Sequence, residues 1–188
     1  MSSAQLSRPQ TRPLELSGAG REAAVMLLIS PDCKTQSPSI VLTRRKDTLQ
    51  HHPGQISLPG GSREAGETIQ QTALREVEEE IGVAPETIEI IGTLNRIYVP
   101  PSDFTVAPLV GWLTAKPDFA IQAEEVDQLI VVPIAELLDP SNRQFSSVTS
   151  DSHQRDVPWF ALLGQQVWGA TAIVLDDFAQ RLQRELTS

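Results

Sequence analysis

Apolar residues in this chain gather into short blocks separated by turn-forming residues, and the blocks predict its elements. Residues 23–30, AAVMLLIS, form a continuous apolar run of strand length. IVLTRR (40–45) is β-branched at its start and follows the turn-rich PDCKTQSPS (31–39), so it reads as the second strand of a hairpin. HHPGQISLPGG (51–61) carries two prolines and three glycines and reads as loop with at most a short strand. Residues 69–81 are free of Gly and Pro. Thr68 with Gln71 three residues later has the form of a capping box, and Gly82 is a stop, so this segment reads as a helix. Strands are predicted at 88–99, 104–113 and 126–133, one helical turn at 134–138, and a late strand pair at 157–162 and 166–169. A last helix, 170–186, shows an apolar stripe of Ile173, Val174, Phe178 and Leu182. The first 21 residues are polar and broken by Pro9, Pro13 and Gly18, so they read as an arm ahead of a single domain at 22–188. The order of strands, helix, strands and helix does not alternate as a parallel Rossmann sheet does. It predicts an α/β fold with a mixed sheet and helices on both faces.

The helix at 69–81 contains REVEEEIG (75–82), with four glutamates in five residues. At about 100° per residue from Glu76, Glu80 falls at about 40° and Glu79 at about −60°, so these three share one side. Glu78 falls on another face, at about 200°, while Ala73, Leu74, Val77 and Ile81 form the core-facing stripe between about 60° and 160°. Like charges at these spacings destabilise a helix by roughly 0.2–0.5 kcal/mol per pair. Two readings account for them. One is a solvated acidic face. The other is a site for a hard cation such as Mg²⁺ or Mn²⁺, which prefers oxygen ligands.

Charge distribution bears on that choice. Lys plus Arg number 15 and Asp plus Glu 24, for a formal net charge of −9. Residues 63–89 hold eight acids and two bases, so most of the excess surrounds this helix, which suits a cation site better than a general solubility surface. The negative balance argues against non-specific binding of nucleic acid or of an anionic membrane. Cys33 is the single cysteine, so an internal disulfide and a Cys-rich zinc site are excluded. The longest apolar run, Ala23 to Ile29, is too short to span a bilayer, and the N-terminus lacks the apolar core of a signal peptide. A cytoplasmic location is the expectation.

Gly61 is followed by five residues and Glu67, then by seven residues and Arg75-Glu76-Val77-Glu78-Glu79-Glu80-Ile81-Gly82-Val83. This spacing resembles the Nudix box, and every fixed position is matched over 23 residues. The resemblance implies the Nudix α/β/α sandwich, with its mixed sheet and catalytic loop–helix–loop. It also implies hydrolysis of a nucleoside diphosphate linked to another group, with Mg²⁺ or Mn²⁺ as cofactor. By position, Glu76, Glu79 and Glu80 match metal-binding glutamates. Arg75 matches an arginine that holds a box glutamate in place, its alternative being a surface ion pair. Glu67 matches the early glutamate that orders the loop and sometimes joins the metal shell. Gly61 matches the glycine whose carbonyl often approaches the metal.

The segment before the box, LTRRKDTLQHHPGQISLPGG (42–61), resembles the motif that precedes it in the coenzyme A pyrophosphatase branch of the family. Leu42, Thr43, Arg45, Gly54, Pro59, Gly60 and Gly61 match. Val41, Lys46, Gln50 and Leu58 stand where that motif has leucine, a small residue, arginine and phenylalanine. The resemblance continues through GTL (92–94), Pro108, residues 125–133 and WGAT (168–171), and covers about residues 22–184. It implies a CoA-like nucleotide as substrate, with Arg45, Gly60 and Gly61 as substrate-binding candidates, and a homodimer; Arg44 joins those candidates from the local charge alone. Arg44, Arg45 and Lys46 are also the densest local basic cluster. Arginine forks suit phosphate oxygens, although a basic run can equally protect a hairpin edge. Glu125 matches a region where relatives place an extra metal ligand or base, so it stands beside Glu76, Glu79 and Arg75 as a catalytic candidate. Its other reading is an exposed charge at the start of a strand. His51 and His52 read as exposed or near a ligand. His153 lies in a polar loop (146–156) that could cover the active site. Cys33 reads as incidental, and Trp112, Trp159 and Trp168 as core or interface residues. The alternatives are a Nudix hydrolase of ADP-ribose or a related nucleotide, and a non-catalytic nucleotide sensor.

Overall fold

A computed structural model describes residues 20–31, 37–49, 52–115, 117–150 and 153–188. Most of the N-terminal arm, Cys33, Gln50, His51 and the side chain of His153 lie outside the described positions. Eleven strands are formed among them: β1 (Arg21–Pro31), β2 (Pro38–Arg45), β3 (Ile56–Ser57), β4 (Gly60–Ser62), β5 (Ile88–Thr93), β6 (Ile97–Val99), β7 (Phe104–Leu113), β8 (Val126–Pro133), β9 (Arg143–Ser150), β10 (His153–Leu162) and β11 (Gln165–Val167). The α-helices are α1 (Ile69–Ile81), α2 (Ile134–Leu138) and α3 (Gly169–Leu186).

The apolar run of β1 becomes the central strand of an eight-stranded mixed sheet. One edge of β1 runs parallel to β7; the other meets β2 and β4, both antiparallel. Ala24, Met26 and Leu28 point to one face and pack with Ala73, Val77 and Ile81 of α1. Leu27 and Ile29 point to the other and pack with Leu137 of α2 and with Val174, Leu175 and Phe178 of α3. A strand covered on both faces must be apolar at successive positions, which is why 23–30 shows no alternation. Burying a side chain such as Val77 or Ile81 stabilises by about 1.5–3 kcal/mol.

Several predicted elements change in detail. The strand read at 88–99 is two strands. The break lies opposite Pro108, which has no N–H to give the ladder, although its carbonyl still accepts from Leu94 N at 3.0 Å. A bulge at Ile91 leaves that side chain exposed. The loop at 51–61 contains two short strands, β3 and β4. The polar stretch 146–156, read as a loop over the active site, instead belongs largely to the β9–β10 hairpin, with Arg143 opposite Phe160 and Ser150 opposite His153. A ladder is made by backbone groups, so a segment without an apolar face can still pair. The hairpin joins β11 in a separate three-stranded sheet, and Phe160, Leu162 and Val167 of that sheet pack in the α3-side core. Ile173 is 36% exposed and lies off the buried stripe of α3, which Thr171, Val174, Leu175 and Phe178 carry instead.

Candidate active site

α1 starts and stops where its caps demand. Gln71 N donates to Thr68 Oγ1 at 3.2 Å and Thr68 N donates to Gln71 Oε1 at 2.8 Å, closing the capping box. Gly82 takes φ +69° and gives its N–H to Glu78 O. With Ala73, Val77 and Ile81 turned to the sheet, Glu76, Glu79 and Glu80 emerge on one flank. They line a pocket with Gln122 and Glu125.

The second wall of the pocket is fixed by the end of the same helix. Ala120 N donates to Ile81 O at 3.0 Å and Gln122 N donates to Glu80 O at 2.9 Å, so loop 117–125 satisfies helix carbonyls that would otherwise lack partners. Glu125 is thereby brought to the box glutamates, and its carbonyl accepts from Lys46 N at 2.9 Å.

Arg75 braces the acidic face. Its Nε donates to Glu67 Oε1 at 2.7 Å, its Nη1 to Glu76 Oε1 and Glu79 Oε2 at 2.9 Å each, and its Nη2 to Ser62 O at 3.1 Å. One oxygen of Glu76 and one of Glu79 remain free of these bonds. Glu67 also accepts from Thr72 Oγ1 at 2.8 Å and Glu64 N at 3.0 Å. Arg75, helped by these donors, pulls the Glu67 carboxyl down to about 2. Glu67 is therefore occupied in holding the loop and does not line the pocket.

Glu80 is only 4% exposed. Burial first, then the neighbouring Glu76, pushes its carboxyl up to about 8, against the opposing pull of Gly60 N–H at 3.3 Å and the Arg45 guanidinium, whose Nη1 lies 3.9 Å away. Burial likewise raises Glu76, with Arg75 opposing. Gly61 lies against the Glu76 carboxylate so closely that any β-carbon would collide with it. Gly60 adopts φ +151° and passes so close to Ala24 O and Val25 that a side chain there would clash too.

Carboxylate oxygens around a buried, incompletely compensated Glu80, and a glycine cradle against Glu76, suit a hard divalent cation. Among the described residues, no three Asp, Glu, His or Cys side chains already stand close enough to enclose one. The adjacent arginines separate. Arg45 faces Glu80, whereas Arg44 pairs with Asp127 and, at 3.1 Å, with Asp47. The structure does not bring Arg44 to the pocket. His52 is exposed, Trp112 packs on the core, and Trp168 is exposed at the start of α3. Sequence reasoning passed over Gln122, which carries no charge and lies outside the box.

The NUDIX domain family matches residues 20–151, and the chain belongs to that family. It is 33% identical to the uncharacterized Nudix hydrolase NudL of Photorhabdus laumondii, over 91% of this chain and 90% of that protein. It is 30% identical to Nudix hydrolase 3 of Caenorhabditis elegans, over 87% of this chain and 75% of the relative. A MutT/nudix family protein from Enterococcus faecalis shares the fold, with a TM-score of 0.60 at 16% identity, over 92% of this chain and 66% of that one. The α/β/α sandwich expected from the box is therefore the fold of this protein. Among the described residues, no helix is long and apolar enough to cross a membrane.

Proposed function

We propose that this Nudix hydrolase is a divalent-metal-dependent pyrophosphohydrolase of coenzyme A or acyl-CoA, releasing 3′,5′-ADP and (acyl-)4′-phosphopantetheine. The observation that carries the CoA assignment is the position of Arg45. It is the residue of the 44–46 basic run that matches the CoA motif, and its guanidinium lies 3.9 Å from Glu80, one of the glutamates that line the acidic pocket. A diphosphate held across the carboxylates would present its oxygens there, where an arginine fork can bind them.

Glu76, Glu79 and Glu80 would hold the cation, with the Gly61 carbonyl beside them. Bound there, Mg²⁺ or Mn²⁺ would neutralise phosphoryl oxygens and make water a stronger nucleophile. Arg75 orients Glu76 and Glu79 by one oxygen each and leaves the other oxygen to the site. A water oxygen forms the new bond to one phosphorus, the bridging P–O bond breaks, and the water proton passes to a pocket carboxylate. Glu79 is 56% exposed at its side chain and Glu125 stands on the opposite wall; these two are the candidate acceptors.

Turnover of CoA, NADH and ADP-ribose, each with and without Mn²⁺, tests the assignment. Metal-dependent kcat/KM highest for CoA supports it, and a clear preference for ADP-ribose overturns it.

A further inference from the structure

Four of the five residues lining the pocket are glutamates; Gln122 is the neutral one. Most of its hydrogen-bonding capacity is spent on the loop. Its N–H goes to Glu80 O, its carbonyl accepts from Glu125 N at 3.1 Å and Val126 N at 2.9 Å, and its Oε1 accepts from Glu124 N at 2.9 Å. That last bond fixes the amide orientation, and because Gln122 is exposed its two Nε2–H donors, which have no partner among the described residues, are open to a ligand in the cleft. They belong to a residue lining a cleft whose other side chains can only accept hydrogen bonds when ionised.

We propose that Gln122 Nε2 binds a phosphoryl oxygen of the diphosphate substrate, which makes Gln122 a substrate-contacting residue of this site. The proposal rests on the reading of the pocket as a diphosphate site, though not on CoA as the substrate. A neutral donor suits the position. A lysine or arginine here would be drawn to the free oxygens of Glu76 and Glu79, as Arg75 is to the other two, and would compete with a cation for them. An amide can bond a phosphate oxygen without adding that competing charge. Because Gln122 N and Glu80 O are joined through the backbone, the donor is held in register with the glutamate flank.

Gln122→Ala removes the amide without adding charge to the acidic pocket, and Ca²⁺ affinity separates contact from bracing, since losing a brace of the glutamate flank would change it. The probe is imidodiphosphate, a non-hydrolysable diphosphate, titrated calorimetrically into Ca²⁺-loaded full-length protein. A hydrogen bond to a charged oxygen corresponds to about tenfold to a hundredfold in affinity. Gln122→Ala should weaken the probe by that factor while Ca²⁺ affinity and melting temperature keep their wild-type values. Wild-type probe affinity in Gln122→Ala would overturn the proposal; a matching loss of Ca²⁺ affinity would leave Gln122 as a brace and overturn it too, and so would failure of the wild type to bind the probe. If the probe behaves as expected while CoA is not turned over, the CoA assignment fails and the Gln122 contact stands.

Discussion

Arg75 Nε donates to Glu67 Oε1 at 2.7 Å, tying the loop before α1 to the helix flank that carries Glu76 and Glu79. The pair acts as a strut. Glu67 fixes the guanidinium, and the guanidinium fixes the two glutamates nearest to it.

Removing the strut should show in stability as well as in rate. Arg75 holds the Glu67 carboxyl down to about 2, well below the usual carboxylate range. A depressed pKa stabilises the fold above the unfolded-state value and loses that effect as pH falls through the folded one. Urea unfolding should therefore give Glu67→Gln a lower midpoint than wild type at pH 7. The gap should close as pH drops from about 5 towards about 2. Equal midpoints at pH 7 would sink the strut.

Glu80 has the opposite sign. Burial, and then Glu76, pushes its carboxyl up to about 8, so ionising it opposes folding when no cation is bound. In EDTA, wild-type stability should fall as pH rises from about 5 towards 8, and Glu80→Gln should flatten that slope. Glu79→Gln and Glu80→Gln should nearly abolish metal-dependent turnover while metal-free melting temperatures stay equal or rise. Wild-type activity in Glu80→Gln at limiting Mg²⁺ would rule out the metal site.

Much of this arrangement was legible in the chain because local rules agreed there. The capping box at Thr68, the left-handed Gly82 and the 3.6-residue spacing of Ala73, Val77 and Ile81 all point to one helix, with the bounds found. The box spacing then pointed to Glu76, Glu79 and Glu80, which line one pocket in the structure. The 146–156 hairpin was not legible, since its pairing is by backbone and its residues lack a periodic apolar face. Ile173 was assigned to the wrong side of α3 because one residue of helical phase, about 100°, separates it from Val174. Arg44 and Arg45 part at the end of β2, where the register with β8 shifts between them, an irregularity that the pattern of IVLTRR does not encode. Gln122 depends on loop 117–125 capping α1, a contact no local pattern encodes.

That parting yields a kinetic contrast. Arg45→Ala should lower kcat/KM for CoA roughly tenfold to a hundredfold, the worth of a charge-assisted bond. Because Arg45 stands beside Glu80, the loss should be equal on dephospho-CoA, which lacks the 3′-phosphate. A much smaller loss on dephospho-CoA would move Arg45 to that phosphate instead. Arg44→Ala removes exposed ion pairs with Asp47 and Asp127 and should leave both kinetic constants unchanged.

Gly61 gives a steric test. A β-carbon there must displace the Glu76 carboxylate, while the glycine's ordinary backbone conformation tolerates alanine. Gly61→Ala should fold, bind Mn²⁺ more weakly in an EPR titration, and lose about a hundredfold in kcat, the effect of a misplacement near 1 Å. Unchanged Mn²⁺ affinity would separate Gly61 and Glu76 from the cation.

The most direct measurement is mass spectrometry of the products formed from CoA by the purified protein with Mn²⁺. Equal amounts of 3′,5′-ADP and 4′-phosphopantetheine should accumulate with wild type and be absent with EDTA or with Glu79→Gln. Intact CoA after prolonged incubation with metal-loaded wild type, under conditions where ADP-ribose is cleaved, would contradict the CoA assignment.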